Sequence, residues 1–378
     1  MPRVSIVQRI LPHYRLAFFE RLHAELDQRG IDLRLCYGQE QQGTRPGSAE
    51  IQGGWVRRVR NRYLFESRAR RAAVWQPCLR ELMQSDLVIA EHASRLLINY
   101  PLALLSRLGG ARLALWGHGT NLQTTERDEL AQRARDAQLQ GAHWWFAYTA
   151  LSARLVADAG YPRDRITVVN NSIDTTALGD AVAAISSDAR DELRRELDLP
   201  ASGVGIFCGR LVAEKRLDLL RAAGELVHAR RPDFRLIVIG DGPGEAEVRR
   251  MASECAWVRF VGPKYGAELA PYLAVSDFML MPGLVGLVIV DSFAAGVPLI
   301  TTDHRRHSPE IEYLRDGENA LVTEVRADAL AAGIVTLMDS GDKLLHLKSG
   351  CRASAHEYTL ERMVDRFSAG VLAALEAA

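Results

Sequence analysis

Chemistry is concentrated over residues 206–322, where four short patches each adjoin an apolar run. The first, Gly209-Arg210-Leu211-Val212-Ala213-Glu214-Lys215, follows the run 204–208. The second is Ile239-Gly240-Asp241-Gly242-Pro243-Gly244. The third is Pro282-Gly283-Leu284-Val285-Gly286-Leu287-Val288-Ile289-Val290-Asp291, and the fourth is Gly296-Val297-Pro298-Leu299-Ile300-Thr301-Thr302-Asp303. Arg210 directly follows a strand and Lys215 stands at the start of the next helix, so both cations can converge on one anion. A diphosphate whose charge grows as a bond to it breaks needs fixed positive groups of this kind. Each charge-assisted bond contributes about 1.5–3 kcal/mol. Gly286-Leu287-Val288 opens a helical pattern running through Asp291, Ser292 and Phe293. The first amides of a helix have no partner within it, and its dipole favours an anion there. Glycine at 286 lets a phosphate approach the backbone. The patch from Gly240 to Gly244 lacks the G-x-G-x-x-G spacing, and a tight strand-to-helix turn is the favoured reading.

Together the four patches resemble the C-terminal half of family 4 glycosyltransferases, retaining enzymes of the GT-B fold. The resemblance implies that Arg210 and Lys215, with Gly209, contact a donor diphosphate and supply the charge stabilisation of catalysis. It places Gly286, Leu287 and Val288 on the phosphates and Asp291 on the ribose hydroxyls. Phe260-Val261-Gly262-Pro263-Lys264 resembles the stretch where relatives grip the nucleobase, which brings Gly262 into the donor set. Glu310 matches a carboxylate common in the family. One departure matters: the usual Glu-x7-Glu reads Gly283-x7-Asp291 here. A glycine at 283 cannot touch sugar hydroxyls, so the sugar is held otherwise or lacks the matching hydroxyl. His304, His307, Ser308 and Glu310 are the nearby candidates to replace it. The shorter Asp291 makes a longer or water-mediated contact.

The first half resembles the family less. Its loop after the first strand reads Leu11-Pro12-His13-Tyr14-Arg15, stiffened by proline and without glycine, and offers His13, Tyr14 and Arg15 to an acceptor. Trp116-Gly117-His118-Gly119-Thr120 follows an apolar strand where relatives carry a histidine near the donor sugar, which makes His118 a catalytic candidate beside the alternative of a structural histidine. Glu91 and His92 end another strand and can orient an acceptor hydroxyl, or serve as a satisfied strand-end pair. Asn171-Ser172-Ile173-Asp174 looks like the family's Asn-Gly-Ile/Val-Asp turn at the domain junction.

Short β-rich runs alternating with helical patterns must position these groups, the signature of parallel sheets with helical crossovers. Expected strands are 3–8, 32–37, 86–90, 112–116, 145–148 and 166–169, then 204–208, 235–239, 258–260, 278–281 and 298–301. The expected fold is α/β, GT-B, with two Rossmann-like parallel-sheet domains facing across a cleft and ligands at the carboxyl ends of the strands. Residues 1–178 form the acceptor domain and 179–355 the nucleotide-sugar domain, with a hinge in the polar stretch 175–200. Apolar spacing at Leu360, Met363, Phe367, Val371 and Leu375 predicts an amphipathic helix within 356–378, which by the resemblance returns to the N-terminal domain.

The 47 basic and 47 acidic residues cancel, which removes any global charge argument for nucleic acid. Five scattered cysteines without a C-x-x-C pair argue against a disulfide framework or a zinc site and fit a reducing cytoplasm. The start of the chain reads as a strand followed by polar Gln8-Arg9 rather than a leader, and the longest apolar run, 278–290, is too short to span a bilayer. Arg57, Arg58, Arg60, Arg62, Arg68, Arg70 and Arg71 cluster with Trp55, Tyr63 and Phe65 against the single acid Glu66. That cluster suits an anionic phospholipid surface or a polyprenyl-diphosphate-linked acceptor, and equally a solvated basic loop.

The resemblance implies a retaining glycosyltransferase that moves a sugar from a nucleoside diphosphate to a saccharide or lipid-linked saccharide hydroxyl. It needs no cofactor or metal and binds no nucleic acid. Its expected place is cytoplasmic, with peripheral attachment to the inner membrane face left open. A sugar-nucleotide epimerase of the same fold and a non-catalytic nucleotide-sugar-binding subunit are the alternatives, and Gly283 is the best support for the latter.

Overall fold

The computed structural model describes residues 1–39, 49–64, 73–119 and 141–377. The chain divides into two compact units, 1–174 with 360–378, and 175–359.

In the first unit the described strands form a parallel sheet in the order β3-β2-β1-β6-β7-β8-β9. These are β1 Arg3–Gln8, β2 Asp32–Gly38, β3 Val56–Val59, β6 Leu87–Glu91, β7 Arg112–Gly117, β8 Trp144–Ala147 and β9 Ile166–Val168. A separate antiparallel pair joins β4 Arg62–Leu64 to β5 Ala73–Trp75. The central strands are largely apolar because both faces of the sheet are covered. One face holds Val7, Val88, Leu113 and Trp145. The other holds Ile6, Phe18, Trp116 and Phe146 together with the C-terminal helix Leu360–Glu376.

That helix buries Leu360, Met363, Phe367 and Val371, the stripe expected from its spacing, while Leu375 is only partly buried. Phe367 stacks on Phe146 at 4.4 Å and meets Trp116 edge-on at 5.0 Å. Arg112 donates from Nη1 to the Leu375 carbonyl at 2.8 Å and to the Ala374 carbonyl at 3.1 Å, placing a cation on the negative end of the helix.

The second unit has a parallel sheet in the order β12-β11-β10-β13-β14-β15. Its strands are β10 Val204–Cys208, β11 Arg235–Ile239, β12 Val258–Gly262, β13 Phe278–Met281, β14 Leu299–Thr302 and β15 Ala320–Thr323. The stretch expected as a hinge forms the helices Thr176–Ala184 and Ser187–Glu196 and belongs to this unit. Thr176–Ala184 packs against the helix Val288–Ala295.

Candidate functional site

In the second unit β10 lies between β11 and β13, so strand order reverses around it. Ligands of open parallel sheets bind outside the carboxyl ends of the strands at such a reversal. The loops leaving there are 209–216 from β10 and 282–287 from β13, which carry the first and third patches. They are bonded to each other. The Leu284 amide donates to the Glu214 carbonyl at 2.8 Å, and Lys215 Nζ donates to the Leu284 carbonyl at 2.6 Å.

Glycine decides how closely these loops meet. A Cβ at Gly283 would stand 2.3 Å from the Glu214 carbonyl oxygen and 2.5 Å from the Lys215 carbonyl carbon. Both are backbone atoms, so no side chain fits. Gly283 is therefore a packing glycine that lets the Lys215 loop close. The second patch has the same character. Gly240 and Gly242 have φ of +146° and +143°, and a Cβ on them would lie 1.9 Å from the Gly209 carbonyl oxygen and 2.6 Å from that of Leu211. The Leu211 amide donates to the Asp241 carbonyl at 2.7 Å, and the Gly244 amide to the Leu211 carbonyl at 2.9 Å. The Gly240-to-Gly244 turn is thus the wall that fixes the Arg210 loop. Gly262 at the end of β12 extends this wall, accepting the Gly240 amide at 3.1 Å.

The charged groups at this end of the sheet are unevenly satisfied. Arg210 is exposed and, among the described residues, has neither an ion pair nor a side-chain hydrogen bond. Lys215 is half-buried, and burial lowers its pKa from 10.5 to about 8, against the opposing pull of Cys208 and Glu214. Asp291, in the first turn of Val288–Ala295, has no hydrogen-bond or ion-pair partner among the described residues. Part of its surface is open, yet burial around the carboxyl raises its pKa to about 7. Cys208 is pushed up to about 12, first by burial and then by Asp291, with Lys215 opposing. The end of β10 therefore carries a thiol that feels both charges, and sequence reading missed it although it directly precedes Gly209.

Among the described residues the amides of Gly286, Leu287 and Val288 have no acceptor. The nearest atom to a Cβ on Gly286 would be Ser308 Oγ at 3.4 Å, so packing leaves that backbone approachable. Arg216 supplies the turn into the helix Leu217–Arg230 by adopting φ 54°, ψ 53°, a left-handed conformation costing a non-glycine residue about 1–2 kcal/mol. No sequence signal marks it, and its guanidinium is bonded to Asp218 at 2.8 Å.

The residues after β14 divide. His307 is 6% exposed, accepts the Val285 amide on Nδ1 at 3.1 Å and donates from Nε2 to the Thr302 carbonyl at 2.8 Å. Burial lowers its pKa, so it is a neutral strut under the 282–287 loop and leaves the set of sugar ligands. Glu310 is 2% exposed in the 3-10 turn Pro309–Tyr313. His304 stays partly exposed, with its pKa lowered by burial and by the nearby Arg216 and Arg306.

In the first unit strand order reverses at β1, between β2 and β6. Arg15, expected to face an acceptor, is 4% exposed. It donates to Asn171 Oδ1 and lies 5.0 Å from the Trp116 ring centre and 5.8 Å from those of Phe18 and Tyr148. It is a structural cation, withdrawn from the acceptor candidates because its charge is already spent. His13 and Tyr14 beside it are exposed. His92 and His118 follow the ends of the adjacent strands β6 and β7. The His92 amide donates to the Trp116 carbonyl at 2.9 Å, and a Cβ on Gly117 would be 3.1 Å from His92 Cβ. The His92 ring meets Trp145 edge-on at 4.8 Å, and the His118 ring meets Tyr148 edge-on at 4.4 Å. The Glu91 carbonyl accepts Asn99 Nδ2 at 2.9 Å.

Within the basic cluster, Arg57 pairs with Glu81 and Arg58 with Glu50, which offsets two of its charges. Phe65, Glu66, Arg68, Arg70 and Arg71, like Thr120, lie outside the described residues. Among the described residues no group of three or more His, Cys, Asp or Glu is placed to hold a metal, and no helix is long and apolar enough to cross a membrane.

Two family models match the chain: "Glycosyltransferase Family 4" over residues 17–177 and "Glycosyl transferases group 1" over residues 203–340. A D-inositol 3-phosphate glycosyltransferase of Jonesia denitrificans is 28% identical over 211 residues, 52% of this chain and 48% of that protein. A GDP-mannose-dependent monoacylated alpha-(1-6)-phosphatidylinositol monomannoside mannosyltransferase of Corynebacterium glutamicum is 29% identical over 190 residues, 46% of this chain and 49% of that protein. The chain spans about half the length of the curated relatives it matches. Among solved structures, Anabaena Alr3699/HepE in complex with UDP shares the fold with a TM-score of 0.71 at 17% identity, covering 98% of this chain and 100% of that one. Sucrose-phosphate synthase from Thermosynechococcus elongatus has a TM-score of 0.68 at 16% identity, covering 97% of each chain.

Proposed function

The chain belongs to the family 4 glycosyltransferases of the GT-B fold, whose two models between them match most of its length, and from that membership we propose that it transfers a sugar from a nucleoside-diphosphate sugar to a hydroxyl of a saccharide or lipid-linked saccharide. The observation that carries this reading is the conjunction at the β10–β13 reversal of a half-buried Lys215 with an Arg210 and three amides that lack partners among the described residues. As the bond from the anomeric carbon breaks, negative charge grows on the departing diphosphate. Groups already fixed around it strengthen their hold at that moment without reorganising. Arg210 and Lys215 supply this hold together with the amides of Gly286, Leu287 and Val288, a role filled elsewhere by a cation, so the reaction needs no metal.

Asp291 is the acceptor for ribose hydroxyls. The leaving phosphate takes the proton of the incoming hydroxyl on the same face, which retains the anomeric configuration and requires no protein base. His118 is the catalytic residue of the first unit, near the donor sugar, and His13, Tyr14, Glu91 and His92 are its acceptor-side residues. Relatives that use GDP-mannose and a neighbour that binds UDP support two choices of base. A lipid-linked acceptor, as in the phosphatidylinositol mannoside relatives, fits a cytoplasmic protein attached peripherally to the membrane through the remaining arginines of 57–71. The test is incubation with UDP- and GDP-sugars, with and without a saccharide acceptor, and NMR of the product. Product that forms only with acceptor and keeps the donor's anomeric configuration is expected. Sugar release or isomerisation without acceptor, or an inverted product, would overturn the reading.

A further inference from the structure

Val285 stands between Leu284, whose carbonyl accepts Lys215 Nζ at 2.6 Å, and Gly286, the first of the three amides proposed to face the phosphates. It is fully buried, and both of its backbone groups are fixed by the segment after β14. Its carbonyl accepts the Ser308 amide at 3.0 Å, and its amide donates to His307 Nδ1 at 3.1 Å. A backbone amide can only donate, so Nδ1 carries no proton. The ring proton is on Nε2, which donates to the Thr302 carbonyl at 2.8 Å. The Thr302 hydroxyl in turn donates to the Pro282 carbonyl at 2.7 Å. One neutral imidazole thus ties the end of β14 to the loop that carries both the Lys215 anchor and the helix start.

A second proton on this ring would sit on Nδ1 and face the Val285 N–H, donor against donor. The Val285 amide would then be buried without an acceptor, which favours a loop that moves it to water. Burial acts most strongly against the imidazolium and His304 and Lys215 add to it, while the Thr302 carbonyl and Asp303 oppose; the balance lowers the His307 pKa from 6.5. The ring is therefore neutral and the loop held at neutral pH, and the hold is lost as pH falls through the His307 pKa. Resting on the donor site proposed above, we propose that His307 is a positioning residue for the nucleoside diphosphate: its neutral ring sets Lys215 and the amides of Gly286, Leu287 and Val288 for the phosphates, and a proton on Nδ1 releases them.

Calorimetric titration of the full chain with UDP and GDP at pH 7.5 and pH 5 tests this in wild type, His307→Leu and His307→Asn. Leucine fills the space and accepts nothing, whereas the asparagine Oδ1 accepts the Val285 amide and does not titrate. Whichever nucleotide the wild type binds should be held at least about tenfold more weakly by His307→Leu at pH 7.5, and within about threefold of the wild type by His307→Asn. The terminal phosphate of the nucleotide takes up a proton at about pH 6, and Asp291 and His304 also titrate, but all three are common to wild type and variant. The proton on His307 is therefore read as the ratio of wild-type to His307→Asn affinity, which should fall at least about twofold from pH 7.5 to pH 5. Wild-type affinity in a His307→Leu protein that melts cooperatively overturns the inference. Equal weakening by leucine and asparagine also overturns it, because the ring then serves packing alone, and so does a ratio that stays constant with pH. If His307→Leu does not fold, the ratio still decides. No binding by the wild type at pH 7.5 sinks the donor site and the inference with it, whereas every other failure leaves that site standing.

Discussion

Arg15 and Arg210 both follow the first strand of a parallel sheet, at the point where strand order reverses, and they have opposite fates. Arg15 is buried, donates to Asn171 and lies among the rings of Trp116, Phe18 and Tyr148. Arg210 is exposed and among the described residues meets no partner. The loops after the first strand of two similar sheets thus hold one cation consumed by the fold and one that meets no partner among the described residues. The difference lies in what surrounds them. Around Arg15 the neighbouring strand ends bring large aromatic side chains, and around Arg210 they bring glycines whose backbones pack together.

Stability separates the two arginines most sharply. Arg15→Ala leaves Asn171 without its partner and opens a cavity among aromatic rings, so it should lower unfolding free energy by about 2–4 kcal/mol. Arg210→Ala should change it by less than about 0.5 kcal/mol. Chemical denaturation of the two variants measures both, and comparable losses would break the comparison.

A smaller effect of the opposite sign is expected at Asp291. Its pKa is raised from 3.8 to about 7 in the folded chain. The folded state therefore holds this proton more tightly than the unfolded state does. The stability this gives is present in full below pH 4 and is lost as pH rises through 7, so the ionised carboxylate is a burden above that. Asp291→Asn should stabilise the protein by roughly 1–3 kcal/mol at pH 8 and by almost nothing at pH 3.5. Thermal melts at the two pH values check the sign. No gain at pH 8 would mean that Asp291 is already satisfied in the folded chain.

Much of this was legible in the sequence because apolar runs ending in glycine mark parallel strands that feed functional loops. The strands Val204–Cys208, Arg235–Ile239 and Phe278–Met281 have the bounds read from such runs, and Arg3–Gln8 has its predicted bounds without a following glycine. The strands Val56–Val59 and Arg62–Leu64 escaped because three or four residues rich in arginine carry no apolar alternation. Ala320–Thr323 is likewise too short to stand out. At the site, Arg210, Lys215 and the Gly286 helix start were visible because their chemistry depends on local order along the chain. The burial of Arg15, the strut made by His307, the left-handed Arg216 and the exclusion of any side chain at 283 all depend on partners distant in sequence. Gly283 shows the cost of reading a motif as side chains alone: a missing carboxylate looks like decay, whereas the backbone contact beneath it is what seats Lys215.

The most direct test of the central claim, that the β10–β13 reversal binds a nucleoside diphosphate, is calorimetric titration of UDP and GDP into the wild type and Lys215→Ala between pH 7 and pH 9. Burial holds the Lys215 pKa near 8, so the empty site loses its ammonium charge as pH rises through that value, and binding must then restore the proton. One nucleotide should bind, its affinity falling from pH 7 to pH 9, and Lys215→Ala should weaken it at least about tenfold at pH 7 while removing that pH dependence. No binding by either nucleotide, or equal affinity in wild type and variant, would contradict the account.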